Sequence, residues 1–136
     1  MDLLGGLNDA QKEAALHTKG PLLILAGAGS GKTKTLTHRI ALLVAEQKVW
    51  PSHILAVTFT NKAAREMRER LSGLLGQPND RSFMPWMGTF HSICVRLLRM
   101  DGAASDIPKN FVIYDEDDRR GLIKQVMKSL SISEKD

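Results

Sequence analysis

Gly27, Gly29 and Gly31 alternate with small residues and are followed at once by Lys32 and Thr33, in the stretch LLILAGAGSGKT. Glycines at this spacing let successive backbone N–H groups turn toward one point with no Cβ in the way. Anions collect at such a point, the more so when a helix begins there and turns its positive end inward. A lysine just beyond the loop reaches the β- and γ-phosphates of a nucleoside triphosphate, and the following hydroxyl can hold Mg²⁺. The usual spacing is G-x-x-x-x-G-K-[ST], and its first position is Ala26 here. Alanine is small enough to follow the strand, so this is a variant of the loop. The chemistry is that of a triphosphate site. The bland alternative is a glycine-rich turn that binds nothing.

Three other groups of residues could do chemistry. Thr58-Phe59-Thr60-Asn61-Lys62 sets hydroxyls, an amide, a ring and a cation together, and Gly88-Thr89-Phe90-His91-Ser92 repeats the arrangement. Rings among donors suit single-stranded nucleic acid, whose bases stack on aromatics while helix N-termini hold phosphates. A helix cap followed by a solvated charged face explains the first cluster equally well from residue chemistry alone. Gln11 carries an amide that can pair with adenine N6 and N7, although one glutamine on an amphipathic helix means nothing by itself. Finally, FVIYDEDD at 111–118 could place Asp115 on Mg²⁺ and Glu116 on a water. Local chemistry favours another account, in which Asp115 caps a helix and Glu116, Asp117 and Asp118 fill its first turn.

The elements that must position these groups follow from periodicity. Asn8 caps a helix through Gln11, Ala14, Ala15 and Leu16 that stops near Gly20-Pro21. Leu22, Leu23, Ile24 and Leu25 are apolar on both faces, the pattern of a buried parallel strand. Leu36, Ile40, Leu43 and Val44 recur at helical spacing behind the loop. Ile54 to Thr58 predicts a second buried strand, and Trp86 to Thr89 a short third one. Between them Ala63, Ala64, Met67, Leu71, Leu74 and Leu75 make an apolar helical stripe opposite a charged face with a Glu66–Arg70 pair at i,i+4. A polar, proline-bearing loop runs from Gly76 to Pro85. Phe90, Ile93, Cys94, Leu97 and Leu98 continue as a helix, with Cys94 expected as a small buried hydrophobe. After a loop at 101–110 and a short apolar run at 111–114, Leu122, Ile123, Val126, Met127 and Leu130 predict a last helix. Strands alternating with helices give an α/β parallel sheet, whose strands' carboxyl ends bind ligands. Both Thr-Phe clusters would then open on one edge.

Composition narrows the class. The chain has 136 residues, one domain's worth or a piece of one. A net charge of +4 and a pI near 9.4 suit a polyanionic partner without proving one. Cys94 is the sole cysteine, so an internal disulfide is excluded and a reducing compartment fits. The N-terminal MDLLGGLNDA lacks the basic and apolar segments of a signal peptide, and no stretch has the length of a membrane span. A cytoplasmic protein is expected.

LNDAQKEAA, AGAGSGKT, AVTFTNKAAREMRERL and GTFHS, in this order, resemble the first motifs of the UvrD/Rep/PcrA family of superfamily 1 DNA helicases. The resemblance covers the chain from Leu7 to about Leu130. It implies a P-loop NTPase with a RecA-like parallel sheet flanked by helices. It also implies an ATP site at Gln11, Ala28, Gly29, Ser30, Gly31, Lys32, Thr33 and Lys34, with Lys32 and Thr33 catalytic and Mg²⁺ on Thr33. Lys34 stands where the family commonly has arginine. A single-stranded DNA path is implied along Phe59, Thr60, Asn61, Thr89, Phe90 and His91, and 3′→5′ translocation serving repair or replication. The family's own Walker B motif, DExxD, comes after an inserted subdomain, so the acidic cluster at 115–118 is not catalytic. On this resemblance residues 1–136 are the N-terminal part of the first ATP-binding domain. They need a second RecA-like domain for activity and are inactive alone. A small-molecule P-loop kinase, with Asp115 or Glu116 as its acid, and a non-catalytic strand-binding module are the alternatives.

Overall fold

A computed structural model describes residues 2–27 and 29–132. The first helix, α1 (Asp9–Leu16), starts where the sequence predicts. Asn8 Oδ1 accepts from the Gln11 N–H at 2.9 Å, and Gln11 Oε1 accepts from the Asn8 N–H at 3.1 Å, a reciprocal capping box. The second helix, α2 (Lys32–Ala45), begins directly at the end of the glycine loop. After a 3₁₀ turn, Pro51–His53, come β1 (Ala56–Thr58), α3 (Asn61–Leu75), β2 (Met87–Thr89) and α4 (Phe90–Asp101). A second 3₁₀ turn, Gly102–Ser105, precedes α5 (Glu116–Ser129). The fold is mixed α/β with a small parallel sheet. β1 pairs with β2 in the register Ala56↔Met87, Val57↔Gly88, Thr58↔Thr89. Parallel neighbours require a crossover, and α3 is that crossover, packed against both strands.

The chain divides into two compact units, residues 1–96 and 97–136. In the first, Leu3, Leu7, Ala15, Ile40, Leu42, Met67, Leu71 and Met84 form the core with Ala56 and Met87 of the sheet. α3 follows its predicted stripe, burying Ala64, Met67 and Leu71. In the second unit, Asp115 caps α5 by accepting from the Asp117 and Asp118 N–H groups at 2.9 and 2.8 Å, as the cap account expects. The α5 stripe faces solvent, and Leu122, Ile123 and Val126 are each nearly half exposed.

Several sequence expectations are corrected. Residues 22–25 are not a buried strand: they make no ladder, and Leu23 and Leu25 are 80% and 85% exposed. A parallel strand exists only through its neighbours, and among the described residues the sheet has two strands, neither paired to this segment. The strand predicted at 54–58 is confined to Ala56–Thr58, with Leu55 exposed. The buried face of α2 is also not the predicted one. Leu36 is exposed, whereas Thr35, Thr37 and His38 are buried beside Ile40, Ala41 and Leu42. Polar residues can enter because their polar atoms are bonded. The Thr35 and Thr37 hydroxyls donate to the carbonyls of Gly31 and Thr33 four residues back, and His38 Nδ1 lies 2.7 Å from the Leu3 carbonyl. Cys94 is exposed, since α4 buries only Ile93. The Glu66–Arg70 pair is not formed. Among the described residues, the ion pairs join Glu116 to Arg119 and Arg120.

Candidate nucleotide and nucleic-acid site

The glycine loop is held in shape by its own side chains. Gly29 and Gly31 have φ of 75° and 86°, the left-handed region where a side chain is strained. Space also limits position 31, because a Cβ there would lie 2.7 Å from Gln11 Nε2. Ser30 Oγ donates to the Gly27 carbonyl at 2.6 Å. Lys32 folds over the loop, its Nζ donating to the carbonyls of Ala26 and Gly27, both at 2.6 Å. That places a cation above the loop at the N-terminus of α2, where a phosphate would meet it together with the helix dipole.

Gln11 lies nineteen residues upstream of Ser30 in sequence and touches it in space, its Nε2 donating to the Ser30 carbonyl at 2.9 Å. With Oε1 accepting from the Asn8 N–H, each end of the amide makes one bond and keeps one N–H donor and one lone pair for a further partner. Gln11, Ala26, Ser30 and Lys32 line one recess of about 210 Å³. Lys34 turns away and donates to the Gly6 carbonyl at 2.5 Å, which ties α2 to the N-terminal turn. Thr33 is exposed in the first turn of α2. Ala28 lies outside the described residues.

The two Thr-Phe turns come together. Because Thr58 and Thr89 are in register, the residues that follow them leave the sheet side by side. The Phe59 and Phe90 rings lie 5.3 Å apart between centroids, tilted by 44°. Phe59 is 88% exposed and Phe90 44%, an arrangement that gives up burial of apolar surface and leaves ring faces open to a planar partner. The neighbouring hydroxyls act as caps. Thr60 Oγ1 accepts from the Ala63 N–H and Thr89 Oγ1 from the Ser92 N–H. The capping alternative therefore holds for the threonines and leaves the rings unexplained. Asn61 and His91 are exposed beside them.

Beside the rings lies a polar cavity that the sequence did not reveal, lined by Arg65, Arg68, Arg81 and Arg96. Arg65 and Arg68 were legible only as part of a charged helix face. Arg81 and Arg96 arrive from a loop and from α4, with no local pattern to join them. Among the described residues, no group of three or more His, Cys, Asp or Glu side chains could hold a metal ion. None of the described helices is long and apolar enough to cross a membrane.

The described residues thus form a mixed α/β structure with a glycine loop feeding a helix N-terminus and exposed rings at adjacent strand ends. Residues 7–136 match the model of the UvrD/REP helicase N-terminal domain, and the chain belongs to that family. It is 53% identical over 133 residues to the ATP-dependent DNA helicase PcrA of Staphylococcus aureus (strain Mu50 / ATCC 700699), covering 98% of this chain and 18% of that protein. Against the protein of the same name from Bacillus subtilis (strain 168) the identity is 53%, with the same coverage. For that of Leuconostoc citreum it is 54% over 130 residues, covering 96% of this chain and 17% of the relative. The chain thus spans less than a fifth of the length of these relatives.

Proposed function

We propose that this chain is the N-terminal, ATP-binding portion of an ATP-dependent 3′→5′ DNA helicase that translocates on single-stranded DNA in repair or replication. Its P-loop and β1–α3–β2 unit would form part of a RecA-like domain. Lys32 neutralises phosphate charge, and the glycine-loop amides orient the phosphates. Gln11 reads the adenine edge with its amide. The Thr33 hydroxyl and the nucleotide's own phosphate oxygens suit Mg²⁺, which is bound by few protein groups in such sites. When bound, the ion supplies charge neutralisation across the β- and γ-phosphates. No carboxylate lines the recess beside Lys32 among the described residues, and on this reading hydrolysis draws on a second RecA-like lobe.

The observation that carries the nucleic-acid half is the parallel register, which sets two exposed phenyl rings side by side at one sheet edge. Bases of any type stack on such rings, and duplex DNA keeps its base faces covered. A fluorescein-labelled thymidine oligonucleotide is therefore expected to bind more tightly than a duplex of equal length, measured by anisotropy, and to weaken steeply with salt. Equal affinity for the duplex, or no binding, counts against this reading. Of the two acids that a kinase reading offers, Asp115 caps α5 through its Oδ1 and Glu116 pairs with Arg119 and Arg120.

A further inference from the structure

We infer that the arginine cavity between α3, β2 and α4 is a subsite for an internucleotide phosphate of the same single strand, next to the base that stacks on Phe59. This deepens the proposed function and rests on it. The cavity has about 450 Å³, ample room for a phosphodiester group, and no carboxylate lines it. Arg68 is anchored through its Nη2, which donates to the Met87 carbonyl at 3.0 Å, while its Nε is buried with no partner among the described residues. Arg96 is also fixed, stacked 4.3 Å from the Trp86 ring centroid and donating to the Pro85 carbonyl. The Arg65 and Arg81 guanidinium groups make no hydrogen bond or ion pair with any described residue. Four cations line one cavity, and an anion entering it would offset the charge that Arg81 places beside Arg68. Burial, then Arg81, push the Arg68 guanidinium below its ordinary value. Asp80 offsets this in part, but its carboxylate is already engaged by Ser82 and by the Phe83 N–H.

Position adds to the charge argument. Asn61 and Ser92, two residues beyond Phe59 and Phe90, line the same cavity. A strand with one base on the rings would therefore bring its backbone to the arginines. Guanidinium forks match phosphate oxygens in pairs, and the anchored Arg68 and Arg96 have their geometry set in advance.

The test is the salt dependence of oligonucleotide binding by the whole chain. Each phosphate contact contributes a slope of roughly 0.7 in log K against log salt for single strands. Arg65→Gln with Arg81→Gln is expected to flatten the slope by up to roughly 0.7, the share of the one phosphate, and Arg65→Lys with Arg81→Lys to keep it. Phe59→Ala should lower affinity at every salt concentration with the slope unchanged. Binding of a fluorescent ATP analogue should be the same in the Gln pair as in the unmodified chain. An unchanged slope in the Gln pair overturns the inference and leaves the proposed function standing. Equal flattening in the Lys pair overturns it too, since charge is retained there. Loss of ATP-analogue binding in the Gln pair would assign the cavity to the nucleotide instead. If the unmodified chain binds no oligonucleotide, the proposed function itself fails.

Discussion

Replacing Lys32 with Ala is expected to weaken Mg²⁺-ATP binding by roughly 10- to 150-fold, the loss of about 1.5–3 kcal/mol from a charged hydrogen bond. Lys32 Nζ already sits over the loop, 2.6 Å from two of its carbonyls, so little movement separates its resting position from a bound phosphate. The neutral variant loses the charge and both carbonyl bonds, while the Gln11–Ser30 bond and the positive-φ glycines remain. Titration with a fluorescent ATP analogue reads the change. Oligonucleotide affinity should stay within about twofold, because Lys32 opens α2 and bonds its own loop, whereas the rings follow β1 and β2. An ATP affinity unaffected by Lys32→Ala would mean that the loop is only a turn.

Phe59→Ala is expected to weaken binding of a thymidine oligonucleotide by roughly 5- to 150-fold, from the 1–3 kcal/mol that one base–aromatic stack contributes. Few substitutions of a large apolar residue leave a fold so undisturbed. The ring is 88% exposed, its one ring partner is Phe90, and α3 is capped by Thr60 rather than by residue 59. Circular dichroism and thermal midpoint should therefore be unaltered, and ATP-analogue affinity unchanged. Phe59→Leu should fall between, since it keeps apolar area and loses the planar face. If Phe59→Ala binds the oligonucleotide normally, the ring pair is not a base platform.

What the sequence disclosed depended on how local the cause was. Caps at Asn8 and Asp115 need only three or four adjacent residues, and both appear as predicted; the cap left open as an alternative for the first Thr-Phe cluster falls on Thr60. The α3 stripe is likewise a property of one helix, and it buries Met67 and Leu71. Residues 22–25 read as a strand from their apolarity alone, but pairing belongs to neighbours and they have none among the described residues. The face of α2 was misassigned because threonine hydroxyls bonded to carbonyls one turn back are no longer a cost to bury. Met84 was lost in a loop that looked wholly polar, yet it is 1% exposed and part of the core. For the candidate site, the glycine loop and both Thr-Phe turns were legible as motifs. The contact from Gln11 to Ser30 and the gathering of four arginines were not, since they join residues far apart in the chain.

The central claim is that one domain carries two separate polyanion sites, the glycine loop for a triphosphate and the paired strand ends for a single strand. A two-dimensional ¹H–¹⁵N NMR titration of this 15.0 kDa chain tests it most directly. Mg²⁺-ATP should shift the amides of Gln11 and residues 26–34, and the thymidine oligonucleotide those of residues 58–65 and 88–92, with little overlap. Shifts from both ligands on one common set of residues, or an oligonucleotide response confined to the glycine loop, would contradict the account.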